Sequence, residues 1–119
     1  MLVLIDKFEK VLKSVARSKR TITYSQLLKE VNLISDRKVP LKGKVAVFIL
    51  SKNLQDVCRR SVKAGKPMLG AVAVSRKGYP SEGFFRLAQE IYGIQLKTDE
   101  DRKIFWQNEL KKVFEEFGD

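Results

Sequence analysis

Cys58 is followed at once by Arg59 and Arg60. Two guanidiniums beside an exposed thiol lower its pKa and turn it into a nucleophile. The chain offers that nucleophile no base, because it holds no histidine and no second cysteine. A Cys-His or Ser-His pair, a disulfide within the chain and the common zinc sets are therefore all excluded. Helical spacing places Cys58 in line with Val47, Leu50, Leu54 and Ser61. On such an apolar face a cysteine reads as a small core residue. The carboxylates Glu30, Asp36, Asp56 and Glu82 are scattered, with no spacing that suits metal-dependent hydrolysis. The run "RKGYPSEG" has two glycines but lacks the Walker pattern and its Lys-Ser/Thr. The sequence thus assigns no catalytic residue, no metal ligand and no cofactor, and the chain is not expected to be an enzyme.

The remaining chemistry is cationic. The 119 residues carry a net charge of +10, and a small domain this basic meets polyanions: nucleic acid, an acidic membrane surface or an acidic protein. The charge is uneven. Residues 1–97 hold 20 Lys/Arg against 7 Asp/Glu, whereas residues 98–119 hold 4 against 7, so the basic field belongs to the body of the chain. Lys52, Asp56, Arg59 and Lys63 recur at i, i+4, i+7 and i+11, one face of a helix, with Arg60 flanking and Lys66 following. Arg76 and Lys77 sit where an apolar run turns, and Lys42 and Lys44 flank Gly43. A basic stripe is most often only a solvated face, and a basic turn only a turn. Their agreement with the order of elements is what points to binding.

Those elements follow from periodicity. Leu4, Ile5, Phe8, Val11, Leu12 and Val15 predict an amphipathic helix over 2–17, closed by "RSKR". Residues 21–24 read as a short strand. Ser25 is placed to cap a short helix over 26–31, with Leu27, Leu28 and Val31 inward and Asn32 at its end. "ISDRKVPLKG" reads as a loop. Residues 44–65 have strand propensity at "VAVFIL", but length and later spacing favour a helix that stops at Gly65 and Pro67. A strand over 68–75, a turn at "RKGYP" and a helix over 82–92 capped by Ser81 follow. The last helix, about 99–117, opens with Thr98 and Asp101 at capping-box spacing and buries Phe105, Trp106, Leu110, Val113, Phe114 and Phe117.

With 44% hydrophobic and 32% charged residues, the chain is globular rather than disordered, and its length fits one domain, 1–119. The expected class is α+β, mostly helical: a winged helix-turn-helix-like domain with a two- to three-stranded antiparallel sheet and a C-terminal helix over 98–117. "ITY" is the expected partner of "GAVAVS". "MLVLI" is too short for a signal peptide or a membrane span, and the single cysteine suits a reducing, cytoplasmic setting.

"TYSQLLKEVNL" followed after a helix by "GKPMLGAVAVSRKGYPSEGFF" resembles the winged-helix part of the DNA alkyltransferase family, over about residues 21–85. Where that family has Pro-Cys-His-Arg, this chain has Pro67, Met68, Leu69 and Gly70. The resemblance therefore implies architecture and a DNA-facing side, not the alkyl-transfer chemistry. Gly78, Pro80, Gly83, Phe84 and Phe85 also form a run similar to one in small uncharacterised bacterial and phage proteins, which implies no known activity.

The functional expectation is nucleic-acid binding, duplex DNA first, as a regulator or an accessory protein of a mobile element. Groove contacts are expected from Lys52, Arg59 and Lys63 and phosphate contacts from Lys42, Lys44, Arg76 and Lys77, with Arg60 and Lys66 completing the nucleic-acid-binding set. Aromatics that could stack on bases (Tyr24, Tyr79, Phe84) are few, which disfavours a dedicated single-strand binder. The alternative is an interaction or inhibitor module that docks the same basic surface on an acidic protein. No membrane partner is expected, because the apolar residues of the first helix are more simply core.

Overall fold

Met68, Leu69, Gly70, Ala71, Val72, Ala73 and Val74 are each at most 2% exposed or otherwise fully buried, and the rest of the chain wraps them. The structure is a computed structural model that describes residues 3–118. Its elements are α1 (Leu4–Arg17), β1 (Ile22–Thr23), α2 (Tyr24–Ile34), α3 (Lys44–Lys63), a 3-10 turn (Leu69–Val72), β2 (Ala73–Val74), α4 (Glu82–Tyr92) and α5 (Asp99–Phe117). One hydrophobic core joins Phe8 and Leu12 of α1, Leu27 and Val31 of α2, Val57 of α3, Phe85 of α4 and Val113 of α5. The radius of gyration is 13.5 Å. A single compact chain of this length is expected at about 13.5 Å, so the elements form one domain. The expected start of α1 at residue 2 lies outside the described residues.

The mostly helical class and the partnership of "ITY" with "GAVAVS" both hold: Ile22 pairs with Ala73 and Thr23 with Val74. The expected antiparallel sheet does not. The two strands run parallel, because α2 and α3 carry the chain back across the domain before β2 begins. The expected strand over 68–75 shortens to two residues, since Leu69–Val72 coils into a 3-10 turn against α1, α3 and α5. No wing hairpin follows among the described residues. Ser75 and Gly78 close a tight turn, with Gly78 at φ +78°, and Ser75 bonds Tyr79 across it. Tyr79 then packs its ring on Phe85 and Trp106, at 5.3 and 5.6 Å between centroids. Pro80, buried beside it, has no N–H to give a third strand.

Two caps also differ from expectation. Thr23 caps α2, its hydroxyl accepting from the Gln26 N–H, so the helix begins ahead of Ser25. Asn32 does not end that helix. Its side chain both donates to and accepts from the Val39 backbone, at 3.0 and 2.6 Å, and pins the 35–41 loop against the core. Ser81 does stand at the N-cap of α4, but it makes no side-chain cap. It is held instead by Tyr24, whose phenolic oxygen accepts from the Ser81 N–H at 2.9 Å. The capping box of Thr98 and Asp101 forms as its spacing requires.

A buried backbone must find partners inside the protein. Strand pairing serves Ala73 and Val74. α5 serves the 3-10 turn and its approach: Trp106 Nε1 donates to the Ala71 carbonyl at 2.9 Å, and a Glu109 oxygen accepts from the Met68 N–H at 2.9 Å. Glu109 is only 2% exposed and also accepts from the Tyr92 hydroxyl. This carboxyl therefore ties α4 and α5 to the central segment. Glu109→Leu leaves the buried Met68 N–H without an acceptor, an orphan that costs about 1–3 kcal/mol, and releases the Tyr92 hydroxyl to water. The expected result is a clear fall in the urea midpoint with the helical signal retained below it. An unchanged midpoint would mean that water or another group replaces the carboxyl.

Candidate functional site

All nine cations expected to bind are exposed: Lys42, Lys44, Lys52, Arg59, Arg60, Lys63, Lys66, Arg76 and Lys77. They divide by what they touch. Arg60 reaches α1, at 2.8 Å from Asp6 and 3.6 Å from Glu9. That bond holds the Asp6 carboxyl below its ordinary pKa. Arg59 reaches Glu90 of α4 at 3.0 Å, and Lys66 reaches Glu116 of α5 at 3.9 Å while lying over the Phe117 ring. Lys52 pairs with Asp56 on its own helix at 3.4 Å. These four are cross-links, or partly so. Among the described residues no carboxylate stands within ion-pair distance of Lys42, Lys44, Lys63, Arg76 or Lys77.

Four of these five border one end of the domain, where α2 begins. Thr23 pairs with Val74, two residues before Arg76. Tyr24, the next residue, lines a hollow together with Lys42 and Gly43, and Lys44 opens α3 beside them. Lys63 stands at the other end of α3, about 30 Å away by helix rise. The stripe expected on α3 is not wholly polar. Phe48 and Val45 continue it one and two turns ahead of Lys52, and they are 67% and 61% exposed.

The other side of α3 corrects the expected core. Cys58 and Ser61 are buried as expected, but Val47 is 61% exposed and Leu50 and Leu54 are half-buried. The core is met instead by Ala46, Asn53, Val57 and Ser61. The expected stripe forms one wall of a cavity of about 350 Å³, whose other walls are α2 and α4. Sequence reasoning missed this hollow. Its signal was present: α3 carries apolar residues around more of its circumference than one buried face needs. The buried Glu109 was missed as well, since a carboxyl among polar neighbours on a charged helix gives no sign of burial.

The stacking aromatics are committed elsewhere. Tyr79 is half-buried against the core, Phe84 is 9% exposed, and the Tyr24 hydroxyl binds Ser81. Among the described residues no group of three His, Cys, Asp or Glu side chains could hold a metal ion, and no helix is long and apolar enough to cross a membrane. No family model matches the chain, and neither the curated proteins nor the solved structures contain a match.

Cys58 resolves the thiol question on geometry. It is 2% exposed, and its sulfur lies 2.5 Å from where a Cβ on Gly70 would stand, so the glycine is what makes room for it. Burial pushes the thiol up from 9.0 to about 12, outweighing the nearby positive charge of Arg59. Because the folded value lies above the unfolded one, the contribution to stability is whole below pH 9 and is lost as pH rises toward 12. Native protein at pH 8 should therefore resist iodoacetamide until denatured. Its urea midpoint should fall between pH 8 and pH 10.5, and fall less in Cys58→Ala. Fast labelling of the folded chain would show a reactive thiolate instead.

Proposed function

We propose that this chain binds nucleic acid, duplex DNA first, through phosphate contacts made by Lys42, Lys44, Lys63, Arg76 and Lys77. The observation that carries the reading is the set of exposed cations left without a carboxylate partner in a chain of net +10. Phosphate is the anion best supplied in rows, and neutralising it releases counterions, which drives association at low salt. The order of α2, the 35–43 segment and α3 supports a helix-turn-helix-like docking, in which the basic 75–78 turn takes the part of a wing. In this reading the turn lies along the backbone and α3 approaches the groove by its Lys52–Lys63 face. The likeness to the alkyltransferase winged helix guides only which side meets DNA.

Specificity is expected to be modest. Arg59 and Arg60, the residues able to grip a base in two places, are engaged with Glu90 and Asp6. Exposed pairs of this kind contribute little, so a phosphate can displace either acid at small cost.

The test is fluorescence anisotropy on a short duplex over a series of salt concentrations. Binding should weaken steeply with salt. Arg76→Ala with Lys77→Ala should reduce affinity by about 1–3 kcal/mol for every sequence and flatten the log–log salt slope by about one to two units. The melting temperature should barely move, because both side chains are exposed. Wild-type protein that ignores duplex and single strand alike at low salt would sink the reading. An acidic protein would then be the partner left for the same cations.

A further inference from the structure

The hollow between α2, α3 and α4 has a depth and a lining that phosphate contact does not require. Leu28, Leu50, Leu54, Phe84 and Leu87 supply its walls, and it reaches inward to the buried Cys58 and Gly70. Its volume of about 350 Å³ is that of a small-molecule site, for which about 300–1,000 Å³ is usual. Such sites are apolar with a few polar groups that fix orientation. Here those groups are Tyr24, Ser25, Ser51, Gln55 and Ser81 around the opening, with Lys42. No aspartate or glutamate lines the hollow, and Lys42 is its one charged residue among the described residues. Among the described residues Lys42 has no carboxylate within ion-pair distance.

An apolar recess with a single unneutralised cation selects a ligand of matching form. A cation would meet Lys42 with nothing to offset it. A wholly apolar molecule would gain nothing from the ammonium, which stays solvated at the rim. We infer that the hollow binds a free single-chain amphiphile, an alkyl chain ending in a carboxylate, with the chain against Leu50, Leu54 and Phe84 and the carboxylate at Lys42. The half-buried state of Leu50 and Leu54 and the 61% exposure of Val47 are what a wall awaiting such a chain presents. The inference does not rest on nucleic-acid binding. Of the five unpaired cations only Lys42 is shared.

The probe is decanoate, titrated calorimetrically below its micelle threshold with no nucleic acid present, beside decyltrimethylammonium of equal chain length. Decanoate should bind one per chain and saturate, with the quaternary amine about fivefold weaker, the upper worth of one exposed ion pair. Lys42→Glu, an exposed change that leaves the core untouched, should reverse the preference. Leu50→Glu should abolish decanoate binding, with its folding checked by circular dichroism. Equal affinity for the two head groups would overturn the inference, as would decanoate binding unchanged in Lys42→Glu. Attachment to phosphatidylglycerol vesicles without any binding of monomeric decanoate would overturn it too, since the ligand would then be a lipid surface. Loss of DNA binding in Arg76→Ala with Lys77→Ala bears on none of these outcomes.

Discussion

Everything in this fold answers to one constraint: a stretch of backbone from Met68 to Val74 that water does not reach. Its peptide groups have to be bonded by protein, and the partners come from both ends of the chain. β1 supplies one side at Ile22 and Thr23, and α5 supplies the other through Trp106 and Glu109. Trp106 and Glu109 are three residues apart, so one turn of one helix presents both. This accounts for a buried carboxyl in a small domain, where an unpaired charge would be costly. It also accounts for the two-residue strands. Their task is to satisfy a local need at the centre, and a longer sheet would have to displace the 3-10 turn that α1, α3 and α5 pack upon.

The same packing sorts the cations. Where acidic side chains of α1, α4 and α5 come near α3 and the chain just beyond it, Arg60, Arg59 and Lys66 become ties between helices. Where the chain turns at the α2 end of the domain, no carboxylate among the described residues comes within ion-pair distance, and Lys42, Lys44, Arg76 and Lys77 face water. The acidic C-terminal segment thus neutralises only part of the basic body. The field that remains is concentrated by default, through the absence of neighbours, rather than by any clustering visible along the sequence.

The helices were legible because periodicity and caps are local properties. The spacing of Phe8, Leu12 and Val15, and the Thr98–Asp101 box, read directly into α1 and α5. The partnership of "ITY" with "GAVAVS" was legible from β propensity, but its direction was not. Direction depends on where two intervening helices return the chain, which no local signal encodes. The cationic residues were all placed correctly at the surface. Which of them would be paired was hidden, because Arg60 and Asp6 are 54 residues apart. The face of α3 was misread for a related reason: spacing identifies an apolar stripe but not whether anything covers it, and Val47, Leu50 and Leu54 are left beside a hollow.

The dependence of the centre on α5 has a consequence for how the chain is made. Synthesis runs from the N-terminus, and α1, α2, α3 and the Met68–Val74 segment are made before residues 106 and 109 exist. Until then the Met68 N–H and the Ala71 carbonyl have no acceptor or donor of their own, and the segment cannot be sealed from water without penalty. The released chain is at that stage also at its most basic, +13 over residues 1–97, beside a ribosome whose RNA is a polyanion. The arrival of α5 completes the interior and brings six acidic residues at nearly the same moment. Closure of the fold and moderation of its charge are therefore one late event, delivered by a single helix.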